Sequence, residues 1–205
     1  MPVSPLEVIA LVGIVFFSVV LHEVSHGAVA FSLGDQTAKA LGRLTLNPFR
    51  HIDPFGTVIL PVILYASHAG VIFGWAKPVP FDPRYFKNRP LGTLAVALAG
   101  PLTNVLLAML FASLLKLSGG PQALAGKIFY LGAGINLFLA LFNLIPIPPL
   151  DGSKILAAAL PRSLRGYYLR LERWGTILIM VLLFTGFLMK GLMPFYVRLF
   201  GQLTS

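Results

Sequence analysis

Cysteine is absent from the 205 residues, which removes disulfides, thiol nucleophiles and thiolate metal ligands together. Acids are scarce as well: seven Asp and Glu stand against sixteen Lys and Arg, and charged residues make up only 11% of the chain. A soluble domain carries about 25% charged residues to coat its surface. That shortage excludes an ordinary soluble enzyme. A hydrophobic content of 57% and a mean hydropathy of +0.83 exclude a disordered chain too. The composition is that of an integral membrane protein. Its net charge of +9 lies in short loops between apolar runs, where the positive-inside bias and anionic headgroups account for it without nucleic acid. The expected surroundings are a lipid bilayer.

What is present is a set of long apolar runs. Crossing a hydrocarbon core takes about 20 helical residues, and four stretches suffice: 6–33, 91–117, 127–149 (its last residues loosened by prolines) and 174–192. A fifth, 55–73, is interrupted by Pro61, His68 and Gly70. Polar connections at 34–54 and 74–90 hold two segments that read as extended, Ala38–Leu46 and Trp75–Phe81; Pro78 and Pro80 enforce this in the second. The first run does not read as a signal peptide, because it lacks a basic start and carries ionisable residues. With no repeat or linker, residues 1–205 are expected to form one membrane domain. The fold expected is an all-α polytopic membrane protein with short β or extended loops.

The ionisable residues inside the first run are the strongest functional signal, since charged groups at membrane depth are costly. In Leu21-His22-Glu23-Val24-Ser25-His26, His22 and His26 are four apart and project from one helical face at metal-chelating distance. Glu23 follows within reach of a metal-bound water. This is the HExxH pattern of two zinc ligands and a general base. Without a metal, three ionisable groups in five intramembrane positions have no evident counter-ion.

A catalytic zinc takes three protein ligands and keeps one position open. Without cysteine the third must be His, Asp or Glu: His51, His68, Asp35, Asp53, Asp82, Asp151 or Glu172. Most lie in polar loops. Asp151 ends Asn143-Leu-Ile-Pro-Ile-Pro-Pro-Leu-Asp151-Gly152, where three prolines unwind an apolar helix. Unwound backbone in a membrane is tolerated where it lines a cavity or packs on protein, so Asp151 is well placed. The plainer role for it is a helix cap. His51 and His68 read as structural or gating residues, and the Arg162–Arg173 stretch as a solvated interfacial face.

His22-Glu23-x-x-His26, followed about 125 residues later by Asn143-x-x-Pro-x-Pro-x-x-Asp151-Gly152, resembles the site-2 protease family of intramembrane zinc metalloproteases. Gly100-Pro-Leu-Thr-Asn104 matches the Gly-x-x-x-Asn motif of the family's middle core helix. The resemblance covers most of the chain and is to a minimal member lacking a PDZ domain. It implies a three-helix catalytic core plus one further transmembrane helix, with one zinc per chain held by His22, His26 and Asp151. It also implies Glu23 as the catalytic base and a transmembrane-helix protein as substrate. Asn104 and Asn143 match polar motif positions, with roles in binding substrate backbone or in tying helices together.

Ligand convergence constrains topology. His22 and His26 lie toward the exit of the first run and Asp151 at the exit of the 127–149 run. Both exits must share a side for one metal to be shared, so 55–73 is expected to enter and return rather than cross. In that arrangement the Lys39–Arg89 and Lys154–Arg173 stretches place twelve of the sixteen bases on one side, which the positive-inside rule makes cytoplasmic. The active site is then expected nearer the cytoplasmic face of a bacterial or archaeal cell membrane. The competing reading is a transporter or channel whose His, Glu and Asp relay protons.

Overall fold

The computed structural model describes residues 5–68, 70 and 73–205. Long apolar runs produce the three long helices, the second of them continuing through Pro101: α1 (Pro5–Ser32), then after several shorter elements α4 (Arg89–Leu117) and α5 (Leu124–Asn143). Each is long and apolar enough to cross a membrane. Between α1 and α4 come α2 (Thr37–Ala40), a π-type turn at Pro54–Ile59 and α3 (Leu60–Ala66). After α5 follow α6 (Asp151–Ala159), α7 (Arg162–Leu169), α8 (Glu172–Phe184) and α9 (Phe187–Thr204).

Helix α4 is the centre of the molecule and packs on α1, α5 and α6. Its buried face is built from small residues, among them Gly92, Ala97, Gly100, Ala108 and Ala112, which let helix backbones approach closely where hydrocarbon offers little hydrophobic drive. Much of the outer surface is apolar, with Leu106, Ile9 and Phe187 at least 65% exposed, as a lipid-facing surface requires. The chain is thus an all-helical polytopic membrane protein.

Three expectations need correction. The 174–192 run is not one straight span: α8 stops at Phe184, Gly186 adopts φ +69°, and α9 leaves at 74°. The Gly186 amide donates to Leu183 O at 3.0 Å, closing the helix with a left-handed glycine. The 127–149 run is helical only to Asn143, beyond which the prolines deny the backbone its donors. Among the described residues there is no β-strand. Ala38–Leu46 in particular opens inside α2, because a loop this short closes on local i→i−4 bonds such as Leu41 N to Thr37 O (3.1 Å). Trp75–Phe81 contains neither helix nor strand.

The apolar helix Pro54–Ala66 is about 20 Å long at 1.5 Å per residue, short of a hydrocarbon core of about 30 Å. Asp53 caps its start, accepting from Gly56 N at 2.7 Å. The chain then returns to where it left. Trp75 N donates to Gly56 O (3.1 Å), Lys77 N to His51 O (2.8 Å), and Thr57 Oγ1 to Trp75 O (2.8 Å).

Candidate active site

His22 and His26 lie on the inward face of α1, both 6% exposed, and Asp151, 5% exposed, is the first residue of α6. The His22 Nδ1 meets Asn104 Oδ1 at 2.6 Å, and His26 Nδ1 meets the Val96 carbonyl at 2.6 Å. A carbonyl oxygen only accepts, so both Nδ1 atoms donate and the two Nε2 atoms are turned inward. The two Nε2 atoms stand 3.1 Å apart, and each is 3.1 Å from Asp151 Oδ2. Three atoms able to ligate a metal therefore converge, an arrangement that a cation satisfies when both rings are neutral. Tetrahedral zinc with bonds of about 2.0–2.2 Å spaces its ligands about 3.3–3.5 Å apart, close to this triangle. The donor set fits zinc.

Local sequence explains why the triangle closes. Gly100 lies opposite the histidines, and a Cβ there would fall 2.5 Å from His22 Nε2 and from His26 Nε2. One turn along the same face of α4, Asn104 holds His22. The Gly-x-x-x-Asn spacing thus supplies room at one position and orientation at the next. Asp151 is presented by the turn that follows α5, which rests on Gly175 of α8; a Cβ at Gly175 would come within 1.9 Å of Pro148 O. The second Asp151 oxygen accepts from Lys154 Nζ at 3.2 Å.

The remaining candidates for a third ligand are occupied elsewhere. Asp35 accepts from Thr37 N (2.9 Å) and Asp82 N (2.6 Å), and Asp53 caps the helix described above. Asp82 faces Arg84, whose side-chain hydrogen bonds hold its carboxyl below the usual carboxylate range. His51 points Nε2 at Thr45 O (2.8 Å). His68 occupies a left-handed turn at φ +51° and Glu172 starts α8.

Glu23 Oε2 accepts from the Val79 amide at 2.8 Å, the only backbone N–H between Pro78 and Pro80. Val79 sits over Gly27, where a Cβ would meet its Cγ1 at 2.8 Å. Glu23, His22, Asn104 and Asn143 line one cavity of about 200 Å³. It shares Val19, Phe73, Trp75 and Phe142 with a larger apolar groove of about 810 Å³ between α1, α5 and α9. Both ends of the Asn104 amide are engaged, by His22 and by Asn136 (2.9 Å). These contacts tie α1, α4 and α5 together. Asn143 keeps a place on the cavity wall, its amide donating to Leu139 O at 3.0 Å. Sequence reading missed Asn136, Lys154 and the Val79 amide. Only Asn136, a polar residue inside an apolar run, carried a signal.

The Bacillus subtilis protein named "Putative zinc metalloprotease YwhC" is 40% identical over 192 residues, covering 90% of this chain and 83% of the relative. The chain belongs to peptidase family M50. The model for that family matches residues 120–187, the stretch that carries Asn143 and Asp151. "Putative zinc metalloprotease Rip2" of Mycolicibacterium smegmatis is 32% identical over 172 residues, 82% of this chain and 64% of its own length. "Putative zinc metalloprotease MJ0611" of Methanocaldococcus jannaschii is 47% identical over 85 residues, 38% of this chain and 44% of the relative. No solved structure matches. This M50 peptidase is therefore a zinc metalloprotease of the site-2 type, and the proton-relay reading falls away.

Proposed function

We propose that this M50 peptidase hydrolyses a peptide bond within or near a transmembrane helix of a membrane-protein substrate, with His22, His26 and Asp151 as zinc ligands and Glu23 as the base. The observation that carries the reading is the convergence of three inward-facing atoms able to ligate a metal, one of them on His22, which lines a cavity together with the Glu23 carboxylate. Zinc held by His22, His26 and Asp151 would activate a water for attack and polarise the scissile carbonyl. Glu23 takes the proton from the attacking water and delivers it to the leaving nitrogen, general acid–base work worth about 10²- to 10⁴-fold in rate. The Val79 N–H donates to Glu23 Oε2 and steadies the carboxylate. Asn143 is a candidate to hold the substrate backbone.

A helical substrate hides its carbonyls and must be drawn out to be cut. The Trp75, Lys77 and Val79 amides all donate into the protein. The Ala76 amide has no partner among the described residues, and Ala76 lines both cavities. That parity supports capture of an unwound segment by strand addition along Gly74–Ala76. The meeting of Gly56 with Trp75 supports a re-entrant 55–73 segment, hence an active site nearer the cytoplasmic face.

The test is cleavage of a single-span reporter in reconstituted vesicles, with zinc content measured on the same samples. Wild type should cut it, and Glu23→Gln should keep its zinc and lose at least a hundredfold in rate. Equal cleavage by Glu23→Gln would overturn the assignment of the base.

A further inference from the structure

Behind His22 runs a chain of three buried groups. His22 Nδ1 reaches Asn104 Oδ1 at 2.6 Å, Asn104 Nδ2 donates to Asn136 Oδ1 at 2.9 Å, and Asn136 Nδ2 donates to the Gly132 carbonyl at 2.9 Å. Both asparagines are fully buried, on α4 and α5 respectively. The chain has one direction only, and its far end sets it. An asparagine side chain can flip, and an imidazole can change tautomer. A helix carbonyl can do neither, so Gly132 O compels Asn136 to turn its NH₂ outward and its oxygen toward Asn104. Asn104 must then present NH₂ to Asn136 and oxygen to His22. The oxygen accepts the Nδ1 proton, and the Nε2 lone pair is left facing the site.

We propose that Asn136 is a positioning residue for the metal centre, fixing the tautomer and ring orientation of His22 through Asn104. The inference rests on the reading of His22 as a zinc ligand. Without Asn136 the Asn104 amide is free to turn its NH₂ toward His22, where it meets an N–H and pushes the ring to the wrong tautomer. Partners of this kind behind a ligand typically alter metal affinity by 10- to 100-fold.

The experiment measures zinc affinity by chelator competition, and the visible absorption of the cobalt(II)-loaded protein, on detergent-purified full chains. Asn136→Ala is compared with Asn136→Ser, whose hydroxyl keeps a bond to the i−4 carbonyl but is too short to hold Asn104. Both variants should bind zinc about tenfold more weakly and shift the cobalt bands while remaining monodisperse. In an Asn104→Ala background the Asn136→Ala substitution should have no further effect on affinity, because its route to His22 is already cut. Unchanged affinity and cobalt bands in either folded variant would overturn the proposal. So would an equal loss in the Asn104→Ala background, which would make Asn136 a packing residue. A His22→Ala protein serves as reference: if it holds zinc like wild type, the ligand reading itself fails, whatever Asn136 does.

Discussion

Gly100 faces His22 so closely that a Cβ on it would stand 2.5 Å from the ring's Cε1 and Nε2. The metal site therefore depends on an absent side chain. Alanine is the better helix former by about 1 kcal/mol, so Gly100→Ala should leave α4 helical and yet force the rings off the site. The expected result is loss of most bound zinc, and at least tenfold lower activity, in protein of unchanged helicity. Zinc per chain by elemental analysis, beside circular dichroism, checks it.

Asp151 supplies the one anionic atom of the triangle, at 3.1 Å from both histidines. Asp151→Ala should reduce zinc from about one per chain to a small fraction in chelator-free preparations. Retention of tight zinc would mean that another group completes the site. Removing the metal from wild type with a chelator should abolish cleavage, and zinc should restore it.

The bond from Val79 N–H to Glu23 can be removed without touching either catalytic or ligand side chains. Val79→Pro deletes the donor within a stretch already flanked by prolines, whereas Val79→Ala keeps it. A hydrogen bond to a charged group is worth about 1.5–3 kcal/mol, so the proline variant should cut roughly ten- to hundredfold more slowly at unchanged zinc content. The alanine variant should stay near wild type. Equal rates for the two would remove the Val79 amide from the account.

Gly175 seats the turn that presents Asp151, its added Cβ falling 1.9 Å from Pro148 O. Because the obstacle is backbone, Gly175→Ala must displace either α8 or the turn. A loss of about 1–3 kcal/mol in stability is expected, as for other overpacked sites, together with weaker zinc binding. Thermal unfolding with and without zinc measures both. By contrast, an alanine at Gly186 should cost about 1 kcal/mol through its φ of +69° and leave zinc binding unchanged.

Much of this was legible in the sequence, for identifiable reasons. The HExxH spacing works through helix periodicity alone, so His22, Glu23 and His26 could be read as a unit. Asp151 was reachable because three prolines announce an unwound segment. The bend at Gly186 escaped because a hydropathy window averages over one left-handed residue. The helical start of Ala38–Leu46 escaped because short polar loops have no strong periodicity to read.

The sequence by itself determined that the chain lives in a membrane, which residues are candidates for metal chemistry, and where three long helices run. Those properties follow from composition and from local spacing. Only the tertiary structure decided that Asp151, and not Asp35, Asp53 or Asp82, meets the histidines. It alone aligned Asn136 behind Asn104 and brought the Val79 amide to Glu23. Each of these joins residues at least 32 positions apart, and such pairings depend on how small faces on α4 let neighbouring helices approach, a property of packing that no local pattern carries.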